Sequence, residues 1–262
     1  MTEAATTARR NPIARRHVLK RELAARGAVS VAELSEVLGA SPVTIRRDLE
    51  ALAREGVLDR SYGGAAMRAV RPAEEALTVR EQKHVDEKRR VAEAALGLIE
   101  PGNTLFLNDG STVTALARAL AMAEYELFIV TSAVNVAHIL VENPRITVCL
   151  LGGFVRRTSL ATGGMFAESM IRQFNADLAL LSCDAFDAKG GLSFAHPDDA
   201  AVARCMAAQS RRCAALAIGP KLGWSARLNA VPPGEIDHLV TDAAPPDFAA
   251  GLAGTRIEII QP

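Results

Sequence analysis

The chain has 262 residues, of which 49% are hydrophobic and 23% charged, a composition typical of a globular protein with a sizeable core. No apolar run approaches the roughly 18 residues of a membrane helix, and the arginine-rich start lacks the apolar stretch of a secretory signal, so we expect a soluble, cytoplasmic protein without a membrane partner. The 4 cysteines and 5 histidines have no C-x-x-C or H-E-x-x-H spacing. We therefore expect reduced core thiols, no metal site and no cofactor.

The net charge of zero hides an uneven distribution. Residues 1–71 hold 13 Lys and Arg against 8 Asp and Glu, a net charge of +5, so the remainder carries −5. A basic N-terminal part joined to a mildly acidic body is typical of a protein that binds nucleic acid through one of its domains. Charge alone does not exclude an ordinary solvated surface.

The N-terminal part predicts three helices after a polar arm. The arm, residues 1–11, has no periodicity and is expected to be disordered. Residues 13–26 and 30–39 have helical spacing of apolar residues, each segment being stopped by a glycine. A third helix is marked by Ser41-Pro42 at its start and Gly56 at its end, so the order is that of a helix-turn-helix.

The third predicted helix has an apolar face and a polar face. Ile45, Leu49 and Leu52 recur at helical spacing and are expected to be buried. The candidates for DNA contact are the exposed polar residues Ser41, Thr44, Arg46 and Arg47, and Asp48 is expected on the same free face. Arginine pairs with guanine or binds phosphate, and short hydroxyl side chains let the helix approach the duplex. We interpret this segment as a recognition helix.

A β-hairpin is predicted after the third helix. Residues 57–62 alternate in polarity and Gly63-Gly64 supply a turn, as in the wing of a winged helix-turn-helix. Arg60 and Tyr62 are further candidates for DNA contact, with packing of Tyr62 on the third helix as an equal alternative.

These motifs resemble those of DeoR-type transcriptional regulators. The matching residues are Ser41, Thr44 to Leu49, Leu52, Gly56, Arg60 and Gly63-Gly64-Ala65, whereas Tyr62 stands where the family commonly has His. The resemblance implies a winged helix-turn-helix domain, taken as residues 12–67, that binds a double-stranded DNA operator.

The rest of the chain predicts a linker and a larger α/β domain. Residues 68–85 lack a regular pattern and are taken as the linker, and residues 86–262 alternate strand-like and helix-like segments. The predicted strands are 104–107, 127–131, 146–151, 178–183, 213–218, 238–241 and 256–260. This alternation predicts a mostly parallel sheet that is covered on both faces.

Candidate ligand residues follow the predicted strands, because open parallel sheets bind ligands at the carboxyl ends of their strands. Asp109, Gly110, Ser111 and Thr112 form a glycine- and hydroxyl-containing turn into a helix, which suits an anion such as phosphate, an ordinary helix cap being the alternative. Further candidates are Thr131, Ser132, Gly152, Gly153, Asp184 and Lys221. We expect the aspartates to accept hydrogen bonds from sugar hydroxyls and Lys221 to add positive charge.

The second domain also resembles its DeoR counterpart, to about residue 245. The matching motifs are Glu87-Lys88-Arg89, Asp109 to Thr112, Thr131-Ser132, Leu151-Gly152-Gly153 and Gly163-Gly164. The resemblance implies a fold related to ribose-5-phosphate isomerase that senses phosphorylated sugars, with Asp109 to Thr112 as phosphate loop and Thr131, Ser132, Gly152 and Gly153 as pocket floor. The family has Asp-x-Ser-Lys before Phe-Gly, whereas this chain has Gly219-Pro220-Lys221-Leu222-Gly223, which indicates an unusual effector or a weakened site.

The leading hypothesis is therefore a transcriptional repressor of carbohydrate or related metabolism genes that responds to a sugar phosphate. We expect a homodimer or homotetramer, because one recognition helix reads few bases. The alternatives are a sugar-phosphate isomerase-like enzyme with an appended DNA-binding module and a structural nucleoid protein. No catalytic residue is assigned, because no acid–base motif is apparent.

Overall fold

The structure is a computed structural model that describes residues 15, 16, 18, 19, 28–54, 58–61, 64–67 and 75–262. The chain divides into two compact units, Met1–Ala73 and Glu74–Pro262. The predicted arm over residues 1–11, Gly56, Tyr62 and the side chain of Arg60 lie outside the described part. Within the described ranges, no helix is both long and apolar enough to cross a bilayer.

The N-terminal unit combines helices with a small antiparallel sheet. Residues 15, 16, 18 and 19 are helical, and the elements that follow are β1 (Ala28–Ser30), α1 (Val31–Leu38), α2 (Pro42–Arg54), β2 (Leu58–Ser61) and β3 (Gly64–Met67). The predicted wing is confirmed, because β2 and β3 pair antiparallel. Strand β1 was not predicted and adds to β3 on its other side.

The core of this unit is made by the predicted apolar faces. Its buried side chains are Leu19, Val31, Leu34, Leu38, Ile45, Leu49 and Leu52. Gly39 has a φ of +57°, a left-handed conformation that suits glycine and turns the chain between α1 and α2. The three-residue face predicted for α2 is thus buried against α1 and the preceding helical residues.

The second unit is an α/β domain. Its strands are β4 (Thr104–Leu107), β5 (Leu127–Thr131), β6 (Ile146–Leu150), β7 (Phe154–Arg156), β8 (Ala161–Gly163), β9 (Ala176–Ser182), β10 (Ala185–Asp187), β11 (Gly191–Phe194), β12 (Ser210–Leu216), β13 (Leu228–Val231), β14 (His238–Val240) and β15 (Glu258–Ile260). Its helices are α3 (Leu77–Gln82), α4 (Val85–Leu96), α5 (Ser111–Leu120), α6 (Val134–Leu140), α7 (Met165–Ile171), α8 (Pro197–Ala208) and α9 (Pro246–Gly251), with 3-10 turns at Gly219–Lys221 and Pro233–Glu235.

The predicted parallel sheet is confirmed. Seven parallel strands lie in the order β15-β14-β12-β9-β4-β5-β6. Apolar clusters cover both faces: Leu105 and Leu107 pack into one cluster, and Phe106 between them packs into the other. Strands buried on both faces have this continuous apolar character. The hairpin β7-β8 and the small sheet β10-β11-β13 were not predicted.

The linker predicted for residues 68–85 is wrong in its second half. Helix α3 occupies Leu77–Gln82, and α4 begins at Val85. Leu77 is buried, and its N–H donates to the Thr158 carbonyl at 2.8 Å. A six-residue helix shows fewer than two turns of periodicity, so its pattern is hard to distinguish from a polar linker. Residues 68–74 lie outside the described part.

Candidate functional site

The N-terminal unit presents a polar surface at the start of α2. The Ser41 hydroxyl accepts from the Thr44 N–H at 3.3 Å and lies 2.9 Å from the Thr44 hydroxyl, so Ser41 caps the helix. Ser41, Arg46 and Arg47 are exposed, and Thr44 is half-buried. These are the positions predicted to meet DNA.

Asp48 does not share that surface, contrary to prediction. It is buried and forms ion pairs with Arg15, at 2.5 Å, and Arg16, at 3.5 Å. Asp48 and Leu52 are four residues apart and therefore lie on the same side of the helix as the core. The carboxylate thus joins the preceding helical residues to α2 instead of facing solvent.

The second unit has a topological switch point between β4 and β9. From β4 the sheet continues through β5 and β6, and from β9 it continues in the other direction through β12, β14 and β15. Parallel α/β sheets open a crevice where the direction changes, at the carboxyl ends of the two strands. The segments after Leu107 and at Ser182 meet at this crevice.

A small, open cleft lies at the switch point. Its lining residues are Arg80, Asp109, Gly110, Ser182, Cys183, Asp184, Phe194 and Asp199. Three predicted effector residues, Asp109, Gly110 and Asp184, are therefore brought together. Lys221 adjoins them, since its Nζ donates to the Cys183 carbonyl at 2.5 Å and lies 3.5 Å from the Ser182 Oγ.

Gly110 allows the two sides of the cleft to come close. Its φ is +124°, and a Cβ at this position would lie 3.0 Å from the Ser182 Oγ. Ser111 and Thr112 follow as the first residues of α5 and are buried. The Thr112 hydroxyl has no hydrogen-bond partner within the described ranges. A glycine turn before a helix with hydroxyl side chains is suited to an anion.

The other predicted residues lie at the ends of β5 and β6, outside the set that lines the cleft. The Thr131 hydroxyl accepts from the Ala133 N–H at 3.1 Å, and the Ser132 carbonyl accepts from the Thr162 N–H at 2.8 Å. The Gly152 N–H faces the Met170 sulfur at 3.1 Å. These contacts shape the two turns, and the assignment of Thr131, Ser132, Gly152 and Gly153 to an effector pocket stays a prediction.

Asp109 is the most perturbed carboxyl group of the cleft. Burial raises its pKa to about 7, and the negative charges of Asp199 and Asp184 act in the same direction against Arg80 and Arg156. Asp199 is held by an ion pair with Arg156 at 2.5 Å, and Asp184 accepts from the Ala195 N–H at 2.8 Å. Asp109 is thus protonated in part of the population near neutral pH, which lowers the negative charge of the cleft.

Five lining residues were not predicted, and three of them carry a charge or a hydroxyl group. Arg80 lies on α3, inside the predicted linker, and Asp199 lies in the first turn of α8. Ser182 is the last residue of β9 and was counted as strand. The rule that ligands bind after parallel strands points to Ser182, but no local pattern identifies the other two.

The four cysteines are free thiols. Cys183 and Cys213 are buried, and burial raises the pKa of each to about 12. Since the thiolate is the reactive form, these side chains behave as small apolar core groups, as predicted.

Comparison with known proteins also finds two domains in the chain. The DeoR-like helix-turn-helix domain matches residues 15–69, and the DeoR C terminal sensor domain matches residues 83–243. The HTH-type transcriptional repressor CsqR of Escherichia coli strain K12 is 34% identical over 241 residues, which cover 92% of each chain. The glycerol-3-phosphate regulon repressor of the same strain is 33% identical over 226 residues, 84% of this chain and 86% of that one.

Similarity to solved structures is weaker. The ribose 5-phosphate isomerase A of Methanocaldococcus jannaschii superposes with a TM-score of 0.41 and 16% identity over 53% of this chain and 55% of that chain. The family is instead established by the two domain matches and the full-length relatives, which are named repressors. The chain belongs to the DeoR family of DNA-binding transcriptional regulators.

Proposed function

We propose that this regulator represses genes of carbohydrate or related metabolism and that a phosphorylated sugar or similar metabolite controls it by binding in the switch-point cleft. One relative is named for the glycerol-3-phosphate regulon, which is consistent with a phosphorylated effector. The N-terminal unit would bind the operator through Ser41, Thr44, Arg46, Arg47 and the wing residues Arg60 and Tyr62.

The observation that carries this proposal is the composition of the cleft. Cationic groups of Arg80 and Lys221 lie beside the glycine turn at Gly110, where backbone and hydroxyl donors suit a phosphate. Asp184 and Asp109 line the same cleft, and we propose that they accept hydrogen bonds from sugar hydroxyls. A ligand with one phosphate and several hydroxyls matches both sets of groups.

Control of transcription requires that the effector bind one conformation better than another. We propose that the effector favours the form with low operator affinity, so that binding releases the repressor from DNA. By thermodynamic linkage, operator DNA must then weaken effector binding by the same factor. If the metabolite is instead a corepressor, its binding would increase the affinity of the protein for the operator.

The proposal assigns no catalytic role to the cleft, because the homologous proteins are named regulators. An assay for isomerisation of sugar phosphates tests the alternative of an enzyme with an appended DNA-binding module. If the protein converted a sugar phosphate at a rate proportional to protein concentration, and Asp109→Asn abolished this conversion, the enzyme alternative would replace the sensor proposal.

We further propose a homodimer or homotetramer that acts in the cytoplasm. A single recognition helix contacts too few base pairs for genomic specificity, so several copies are needed on a repeated operator. Sedimentation velocity of the full chain, with and without operator, measures the assembly. A monomer on DNA would contradict this part of the proposal.

The test of the effector is thermal unfolding of the full chain with a panel of sugar phosphates and the corresponding unphosphorylated sugars. A ligand that binds only the folded state raises the midpoint by mass action. We expect one phosphorylated compound to raise the unfolding midpoint and its unphosphorylated form to have no effect. The phosphorylated compound should also release the protein from its operator. Absence of any response across the panel would overturn the sugar-phosphate proposal while leaving the family assignment intact.

A further inference from the structure

Arg80 is a half-buried side chain of α3 that lines the switch-point cleft. Its Nε and Nη2 atoms are buried and have no hydrogen-bond partner among the residues that the structure describes. Buried guanidinium donors are costly to leave without an acceptor. The planar fork of arginine matches the oxygens of a phosphate, which accept two parallel hydrogen bonds.

Two lysines place further positive charge near Arg80. Lys88 on α4 is buried, and its pKa is lowered to about 8 by burial and by the charges of Lys221 and Arg80. The three cationic groups therefore repel one another. The carboxyl groups of Asp184 and Asp199 line the same cleft and offset this positive charge, and Asp109, whose pKa is raised, offsets it only in part. An anion beside Arg80 would supply the acceptor for its donors and reduce this repulsion.

Helix α3 is attached to the sensor domain at defined points around Arg80. The Leu77 N–H donates to the Thr158 carbonyl at 2.8 Å, and Glu81 pairs with Arg118 at 3.3 Å. The Lys88 ammonium donates to the carbonyl groups of Arg80 and Lys83, which joins α3 to α4. The helix begins four residues after Ala73, the last residue of the DNA-binding unit.

We infer that Arg80 is an effector-binding residue that holds the phosphate of the metabolite, and that this contact fixes α3, the first helix after the DNA-binding unit. This inference rests on the proposed function and names a residue and an element through which that function operates. Occupancy of the cleft would then change the order of α3, which follows the DNA-binding unit in sequence.

The test uses the full chain and inorganic phosphate as the probe, titrated at constant ionic strength against chloride. Wild type is compared with Arg80→Gln, which removes the charge, with Arg80→Lys, which keeps it without the planar fork, and with Arg118→Gln. Arg118 is an exposed arginine that contacts the same helix through Glu81 and lies outside the cleft lining, so it is the matched control. The readouts are the thermal midpoint and hydrogen exchange of residues 77–82.

We expect Arg80→Gln to weaken phosphate binding roughly tenfold to a hundredfold, as for loss of a charge-assisted bidentate contact, with Arg80→Lys between it and wild type. The Arg118→Gln variant should bind as wild type does. Phosphate should slow exchange in residues 77–82 of wild type but not of Arg80→Gln. Without phosphate, Arg80→Gln should unfold at the wild-type temperature or above it, whereas a purely structural arginine would lower the midpoint when removed.

A wild-type response to phosphate in Arg80→Gln, or exchange in residues 77–82 that phosphate leaves unchanged, would overturn the inference. The proposed function would survive that result if Ser111→Ala with Thr112→Ala removed the response. If wild type responds neither to phosphate nor to any sugar phosphate, the proposed function fails and this inference fails with it.

Discussion

The side chain of Asn108 makes two hydrogen bonds of 2.9 Å with the backbone of Ser182, donating to its carbonyl and accepting from its N–H. The residues are 74 apart in sequence and stand at the ends of the adjacent strands β4 and β9. Asn108 is fully buried. One carboxamide therefore holds the two sides of the switch point together and keeps Gly110 close to Ser182.

Replacement of Asn108 by Ala should lower the free energy of unfolding by about 2–4 kcal/mol, because it leaves a buried N–H and a buried carbonyl of Ser182 without partners. Urea denaturation of the full chain measures this. Asn108→Asp should also destabilise, since a carboxylate oxygen would then face the Ser182 carbonyl. The control is Asn103→Ala, whose side chain accepts from Glu100 in an exposed turn. Equal stability of the Asn108 and Asn103 variants would contradict the role given to Asn108.

The double substitution Ser111→Ala and Thr112→Ala should abolish the response to the effector while operator affinity stays unchanged. Both hydroxyls lie at the start of α5, beside Gly110, and their removal deletes donors without changing the backbone. Gel shift of operator DNA with increasing effector measures the response. Ser169→Ala, on the surface helix α7, serves as the matched hydroxyl deletion. Normal release from DNA in the double variant would refute the phosphate-loop assignment.

The raised pKa of Asp109 predicts a specific pH dependence of the free energy of unfolding. Its pKa is about 7 in the folded protein and about 4 in the unfolded chain, so its contribution to stability is present below about pH 4 and is lost as the pH rises to about 7. Asn at this position cannot ionise. Asp109→Asn should therefore exceed wild type in the free energy of unfolding at pH 8, by on the order of 2–4 kcal/mol, with little difference near pH 4.

Urea denaturation at several pH values, taken as variant minus wild type, isolates this effect from other titrations. Asp86→Asn, which changes an exposed carboxylate of α4, is the control. A difference for Asp109→Asn that does not change with pH would show that Asp109 ionises normally in the folded state. Effector binding by Asp109→Asn, measured in the same series, reports whether the carboxylate also accepts from the ligand.

The elements that were predicted well have both a regular apolar pattern and a clear signal at one or both ends. Strands β4 and β5 have their predicted bounds, because apolar runs there are closed by turn residues such as Pro101-Gly102 and Thr131-Ser132. The recognition helix has a cap at one end and a periodic apolar face. In each case local spacing and tertiary packing favour the same structure.

The order of the strands in the sheet could not be predicted from the sequence. Periodicity does not say that β9 lies next to β4 and that β6 lies two strands away from β4. The cleft is lined by residues that follow β4 and end β9, and the convergence of the residues after β5 and β6 with Asp109 stays a prediction. Arg80 was missed for a related reason, since its contacts with the cleft depend on the packing of a helix of 6 residues.

The buried carboxylate of Asp48 predicts that the DNA-binding unit depends on an ion pair. Asp48→Asn should destabilise this unit by about 2–4 kcal/mol, because the guanidinium of Arg15 stays buried and its ion pair with Asp48 is lost. Hydrogen exchange of α1 and α2 in the full chain should become faster, and operator affinity should fall. Effector binding by the sensor domain should stay at the wild-type level, and Asp86→Asn is again the control. Unchanged exchange in α2 would contradict the structural role of Asp48.

The exposed guanidinium of Arg47 on α2 predicts a direct contribution to operator binding. Arg47→Ala should cost about 1–3 kcal/mol of specific binding if the side chain pairs with a base, and should relax specificity at that position. If it contacts phosphate instead, binding should weaken similarly on all sequences. The slope of the logarithm of the binding constant against the logarithm of the salt concentration should then decrease in magnitude by about one. Fluorescence anisotropy with an operator found by footprinting, at several salt concentrations, separates the two results.

The charge-matched control is Arg89→Ala, which changes an exposed arginine of α4 that pairs with Glu93. Operator affinity equal to that of Arg89→Ala at every salt concentration would remove Arg47 from the interface.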